Sequence, residues 1–165
     1  MGKLILILFA SSFFACNTQT ETKPGNIPAQ PDTAKTISDC DIALTFINNY
    51  TDLISKRSSA NIAGWIKNNP LLTNRFKITY ENLLDSAQKA DPEMGLDFDP
   101  VLDAQDFPEK GFELINCDKT TGYVTVRGKN WNEFLLILKL ALQDDKWLID
   151  GSGVINISVD KKAKR

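Results

Sequence analysis

The chain has 165 residues, 42% of them hydrophobic, and a formal net charge of −2, which bounds it to one domain of ordinary globular composition. That slightly acidic balance argues against nucleic acid as a partner, since phosphate contacts need a basic face. With no histidine and only three scattered cysteines, the chain has neither the Ser-His-Asp and Cys-His nucleophilic schemes nor a usual zinc ligand set, and no cofactor is expected.

The first sixteen residues, MGKLILILFASSFFAC, place one cation, Lys3, before the apolar run Leu4–Ala10 and end on Ala15-Cys16. A charged start, a short apolar core and a small residue before the cut form the layout of a secretory signal, and the apolar part is too short to span a bilayer. Leu6 stands where a myristoylation signal needs Ser or Thr. The Ala-Cys ending resembles a bacterial lipoprotein signal. That resemblance implies cleavage after residue 15 and a diacylglycerol on the thiol of Cys16, with the membrane as partner through this lipid. Phe13 and Phe14 depart from the usual Leu and Ser/Ala. An ordinary cleaved signal with an accidental cysteine is the alternative. Asn17 stands where Asp would mark inner-membrane retention, so the expected address is the cell envelope, on the outer membrane facing the periplasm.

Residues 16–36 are read as the lipidated cysteine and a linker. NTQTETKPGNIPAQPDTAKT holds Pro24, Pro28 and Pro31 and too little apolar surface to bury, so it is expected to stay extended. Within it, Asp32-Thr33-Ala34 resembles a bacterial O-glycosylation acceptor.

A single domain is expected over 37–160. Ala43, Phe46, Ile47, Tyr50, Leu53 and Ile54 share one helical face, with Ser38 and Asp41 as a capping pair. A second helix fits Ser59–Asn68, burying Ile62, Trp65 and Ile66. A third fits Leu72–Ala90, burying Phe76, Tyr80, Leu83, Leu84 and Ala87, and Asp91-Pro92 ends it. The period then becomes two. Strands are predicted at Phe112–Cys117, Tyr123–Gly128, Glu133–Gln143 and Trp147–Ile157, joined by hairpins. Phe134, Leu136, Leu138, Leu140 and Leu142 would form one apolar face of the third strand. Three helices followed by a meander predict an α+β fold, the helices on one side of a curved four-stranded antiparallel sheet. Lys161, Lys162, Lys164 and Arg165 read as a solvated basic tail over 161–165, with contact to an anionic surface as the other reading.

This order resembles the nuclear-transport-factor-2-like (cystatin-like) cone. The opening helix ALTFINNYTDLIS and the closing hairpin LILKLALQDDKWLIDGSGVI carry the likeness, with Lys146-Trp147-Leu148-Ile149 matching a frequent last strand of that superfamily. It implies a pocket between sheet and helices. Leu96-Asp97-Phe98-Asp99-Pro100, followed by Ala104-Gln105-Asp106, resembles the pattern of an uncharacterised bacterial lipoprotein and secreted family, domain of unknown function 3828. That likeness covers about Asp39 to Ile157 and brings no biochemical role with it.

Two readings of this acidic loop stand side by side. Asp side chains close turns by accepting from nearby amides. Alternatively Asp97, Asp99, Gln105 and Asp106 form a ligand or cation loop binding through oxygen, although the spacing is not that of an EF-hand. Cys40 and Cys117 are a candidate disulfide between the first helix and the first strand, with two buried thiols as the alternative. Tyr50, Trp65, Phe76, Tyr80, Trp131 and Trp147 could line a pocket, and most of them are read as core. A carboxylate with a tyrosine inside a cone supports proton abstraction, as in ketosteroid isomerase, but no predicted strand places an Asp or Glu inside. The first functional reading is therefore a non-catalytic envelope lipoprotein binding a small ligand or a protein partner. An acid–base enzyme and an inhibitor or immunity-type interaction protein are the alternatives.

Overall fold

A computed structural model describes residues 39–56 and 61–163, all within the compact unit Lys35–Arg165. The signal segment, Cys16, the linker with its Asp-Thr-Ala, the Ser38 cap, Ser59, Lys164 and Arg165 lie outside the described residues.

Helix α1, Asp39–Ser55, buries Cys40, Ala43, Phe46, Ile47, Tyr50 and Thr51. Thr51 tolerates burial because its hydroxyl donates to the Ile47 carbonyl at 3.1 Å. Helix α2, Ile62–Asn68, starts later than the sequence suggests, with Asn61 as its cap: the Asn61 Oδ1 accepts from the Gly64 amide at 2.7 Å. Only Ile66 of its three predicted core residues is fully buried. Helix α3, Asn74–Ala90, likewise begins two residues beyond the expected start. Leu72 is taken by a parallel bridge to Ile149, and the Thr73 hydroxyl caps the helix by accepting from the Phe76 amide at 3.0 Å.

Strands β1 (Phe112–Asp118), β2 (Tyr123–Gly128), β3 (Leu135–Gln143) and β4 (Lys146–Ser152) form an antiparallel sheet in the order β1-β2-β3-β4. Bulges in the β1–β2 and β3–β4 pairings bend it. At the β3–β4 turn Asp144 and Asp145 both have positive φ, 48° and 60°, the geometry of a two-residue hairpin that follows the strand twist. Val124, Val126, Leu136, Leu138, Leu140 and Ile149 pack against Phe46, Ile47, Tyr50 and Phe76. The molecule is thus α+β, with three helices and a curved four-stranded sheet.

Four expectations need correction. Leu142 does not complete the apolar face of β3: it sits beside the hairpin turn, beyond the cover of the helices, and is 55% exposed. Strand β4 stops at Ser152 rather than running to Ile157, because Gly153 and Asn156 adopt positive φ and reverse the chain. One strand carboxylate is buried: Asp150 accepts from the Thr73 hydroxyl at 2.9 Å and from Arg75 at 2.8 Å, which ties the start of α3 to β4. The basic tail is not wholly solvated, since Lys162 pairs with Asp103 at 3.2 Å.

The two edges of the sheet are treated differently. The Leu71–Thr73 segment covers β4, the Ile149 amide donating to the Leu71 carbonyl and the Thr73 amide to the Ile149 carbonyl. Among the described residues strand β1 has no further strand beside it, and it carries the exposed Leu114 and Ile115 at its bulge. It is held to α1 from the covered side. The Asn48 side chain accepts from the Phe112 amide and donates to the Phe112 carbonyl. Cys40 and Cys117, 77 residues apart, are joined by a disulfide with Cα atoms 6.1 Å apart.

Candidate functional site

The loop between α3 and β1 holds the candidate residues, and it has two halves. The first is closed on itself. Asp99 Oδ1 accepts from the amides of Val101 and Leu102 at 2.8 and 3.0 Å, and Asp99 and Ala104 exchange backbone bonds. Pro100 lies between, its fixed φ suited to such a turn. Val101 and Leu102 are fully buried below it. The turn is also bonded to the end of β4: the Ser152 hydroxyl donates to the Val101 carbonyl at 2.8 Å, and the Val154 amide to the Pro100 carbonyl at 3.0 Å. Gly153 is required there, because a Cβ would come within 2.5 Å of the Pro100 oxygen.

The other oxygen of Asp99 reaches inward. Tyr50 Oη donates to Asp99 Oδ2 at 2.6 Å across 49 residues of sequence. Burial raises the Asp99 carboxyl above the ordinary carboxylate range, against the opposing pull of the Tyr50 hydroxyl and the two amides. Burial, then the Asp99 charge, holds Tyr50 far above the usual phenol range and pushes Tyr80 up to about 12. A carboxyl and two phenols therefore do meet in the interior, which the strand pattern does not reveal. Tyr50 and Asp99 are bonded to one another, and Asp99 also to two backbone amides; among the described residues no buried side-chain nitrogen or oxygen lacks a partner.

The second half, Ala104–Glu109, opens outward. Gln105 donates to the Asp97 carbonyl at 3.2 Å, a contact that uses the Asp97 backbone and not its carboxylate. Asp106 stands apart from Asp97 and Asp99 and lines a cavity of about 420 Å³ with Gln105, Trp131, Glu133 and Phe134. It also lines a second, of about 410 Å³, with Ile54, Ser55, Phe107 and Glu109. Asp106 lines both, and the two cavities, one beside the end of α1 and one beside the β2–β3 turn, make up the candidate groove. Trp131 is 42% exposed there, held by an edge-on contact with the buried Phe134, ring centroids 5.2 Å apart. Pro108 backs this wall by packing on Gly128, where no Cβ could be accommodated.

Of the residues predicted as one cation loop, the structure thus brings Asp97 and Gln105 together, sends Asp99 inward and leaves Asp106 in the groove. No group of three metal-ligating carboxylates or cysteines is present among the described residues. The sequence marks Trp131 only as one of six aromatics that could line a pocket, and does not single out Glu133 or Glu109. Their only sequence signal is a large aromatic and acids in turns, where function concentrates. Of the other aromatics, Tyr50, Phe76 and Tyr80 are buried, and Trp65 and Trp147 pack partly buried against the core.

A wider depression of about 730 Å³ lies along α2, lined by Trp65, Leu71 and four asparagines. It has no ionisable side chain, and the amides of Asn61, Asn68 and Asn69 already bond nearby backbone. No helix among the described residues is long and apolar enough to cross a membrane. No family model matches the chain, and no curated protein or solved structure matches it either.

Proposed function

We propose that the protein is an envelope lipoprotein, anchored through Cys16 to the outer membrane facing the periplasm, whose domain binds a small ligand in the groove at Asp106 without catalysis. The domain is taken as a cone of the nuclear-transport-factor-2-like kind, to which the helix order and curved sheet conform, and the likeness to the uncharacterised lipoprotein family is part of the same reading. The bonding of Cys40 to Cys117 supports export, because disulfides persist in oxidising compartments, and Cys16 is the third cysteine of the sequence.

The observation that carries binding over catalysis is where each acid ends up. The pair suited to proton transfer, Tyr50 and Asp99, is closed on itself, and neither residue lines the groove. A general base must reach the proton it removes. The groove instead joins an exposed indole to acids that make no ion pair among the described residues, which is a recognition surface. An interaction protein is the second reading, favoured by the exposed Leu114 and Ile115 on β1, the edge strand of the sheet among the described residues.

Two experiments test this. Palmitate labelling of the full chain in a bacterial host is expected to be lost in Cys16→Ser; an unlabelled wild type would overturn the anchor. A melting-temperature screen against amines, carboxylates, sugars and lipids is expected to give a rise that saturates with ligand and disappears in Trp131→Ala. A rise unaffected by that change would move the site elsewhere.

A further inference from the structure

The groove has a chemical bias that binding alone does not require. Asp106 is common to both of its cavities, with Glu133 in one and Glu109 in the other. None of the three forms an ion pair among the described residues, although Asp39, Asp103, Glu113, Asp150 and Asp160 all do. Asp106 and Glu133 line one cavity together with the indole of Trp131, whose face attracts cations through its quadrupole. Phe107 and Ile54 supply apolar floor in the second cavity.

We propose that the ligand is a small organic cation carrying alkylammonium groups, and that a linear diamine spans the two cavities across Asp106. This rests on the groove being the binding site. The surroundings separate an ammonium from other ligands. An anion would meet three carboxylates and no cation. A hard metal ion needs several converging oxygens, no such group of three is present among the described residues, and an indole gives it nothing. A neutral sugar could lie on the indole but would leave the acids repelling one another. An alkylammonium places its charge between carboxylates as charge-assisted hydrogen bonds and its methylenes on Trp131 and Phe107.

The test is a calorimetric titration, on the whole chain extracted in a non-ionic detergent, with three compounds of equal length: pentane-diamine, pentane-diol and glutarate. Calcium chloride is the fourth arm. The diamine is expected to give a saturating change that weakens with added salt. Affinity should fall about ten-fold in Trp131→Ala and several-fold in Asp106→Asn and Glu133→Gln. The two charge variants keep side-chain shape at exposed positions, so they report even if Trp131→Ala disturbs the turn. Equal responses to the diol or glutarate would overturn the cation while leaving a groove that binds. A diamine response unchanged in all three variants would overturn the groove as its site. No saturating response to the diamine would overturn the inference, and the melting screen with Trp131→Ala then decides the groove separately.

Discussion

Asp99 and Asp106 lie seven residues apart in one loop and behave oppositely. Asp99 faces inward, accepts from two amides and a tyrosine, and joins the loop to α1. Asp106 faces outward, and no Lys or Arg pairs with it among the described residues. What separates them is not residue type but whether a donor lies within reach once the chain has packed. A carboxylate with donors becomes part of the scaffold, whereas one left facing water beside an aromatic stays able to recognise something else.

The sharpest way to break this contrast is to weaken the scaffold and ask whether the groove notices. Replacing both Cys40 and Cys117 by alanine opens a closure of 77 residues and should lower unfolding stability by about 4 kcal/mol in urea melts, on the loop-entropy argument. Ligand affinity of the still-folded fraction should not change. A change in alkylated mass on adding reductant checks the bond itself.

Asp99→Ala comes next. It strands the Val101 and Leu102 amides and the buried Tyr50 hydroxyl, for a loss of about 3 kcal/mol. Asp106→Ala should stay within about 0.5 kcal/mol of wild type, as expected for an exposed position. Equal losses from the two changes would abolish the distinction.

The pH dependence sharpens it further. Burial raises the Asp99 carboxyl in the folded state above its unfolded value. Its contribution to stability is therefore fully present below the unfolded pKa and is lost as pH rises through the folded one. Urea melts of wild type and Asp99→Asn should show wild type gaining on the variant as pH falls from about 7 to about 4. A gain in the opposite direction would mean that the amide and tyrosine bonds outweigh burial. The smallest effect belongs to the rim: Lys162→Ala, which removes the Asp103 pair, should cost about 0.5 kcal/mol and less at high salt.

Much of the scaffold is legible in the sequence. The 43, 46, 47 and 50 spacing marks the buried face of α1, alternation marks β2 and β3, and Asp144-Asp145 marks a tight hairpin. The ends of elements are less legible, because Thr73 and Gly153 act through partners far along the chain, Asp150 and Pro100. The site is less legible still. Ile54, Asp106 and Trp131 belong to three separate segments with no shared period or motif.

What the sequence alone determined, then, is which face of each element turns from water, since periodicity is a local property; how far along that face burial extends was not in it, as Leu142, Leu83 and Leu84 show. It also set the turn-forming character of the acidic loop, since Asx turns close over two or three residues. Tertiary structure alone decided which acid is held and which is left free. Tyr50 meets Asp99, and Thr73 meets Asp150, across 49 and 77 residues. A hydrogen bond forms only where donor and acceptor come within about 3 Å, and that proximity is produced by packing rather than by neighbouring residues.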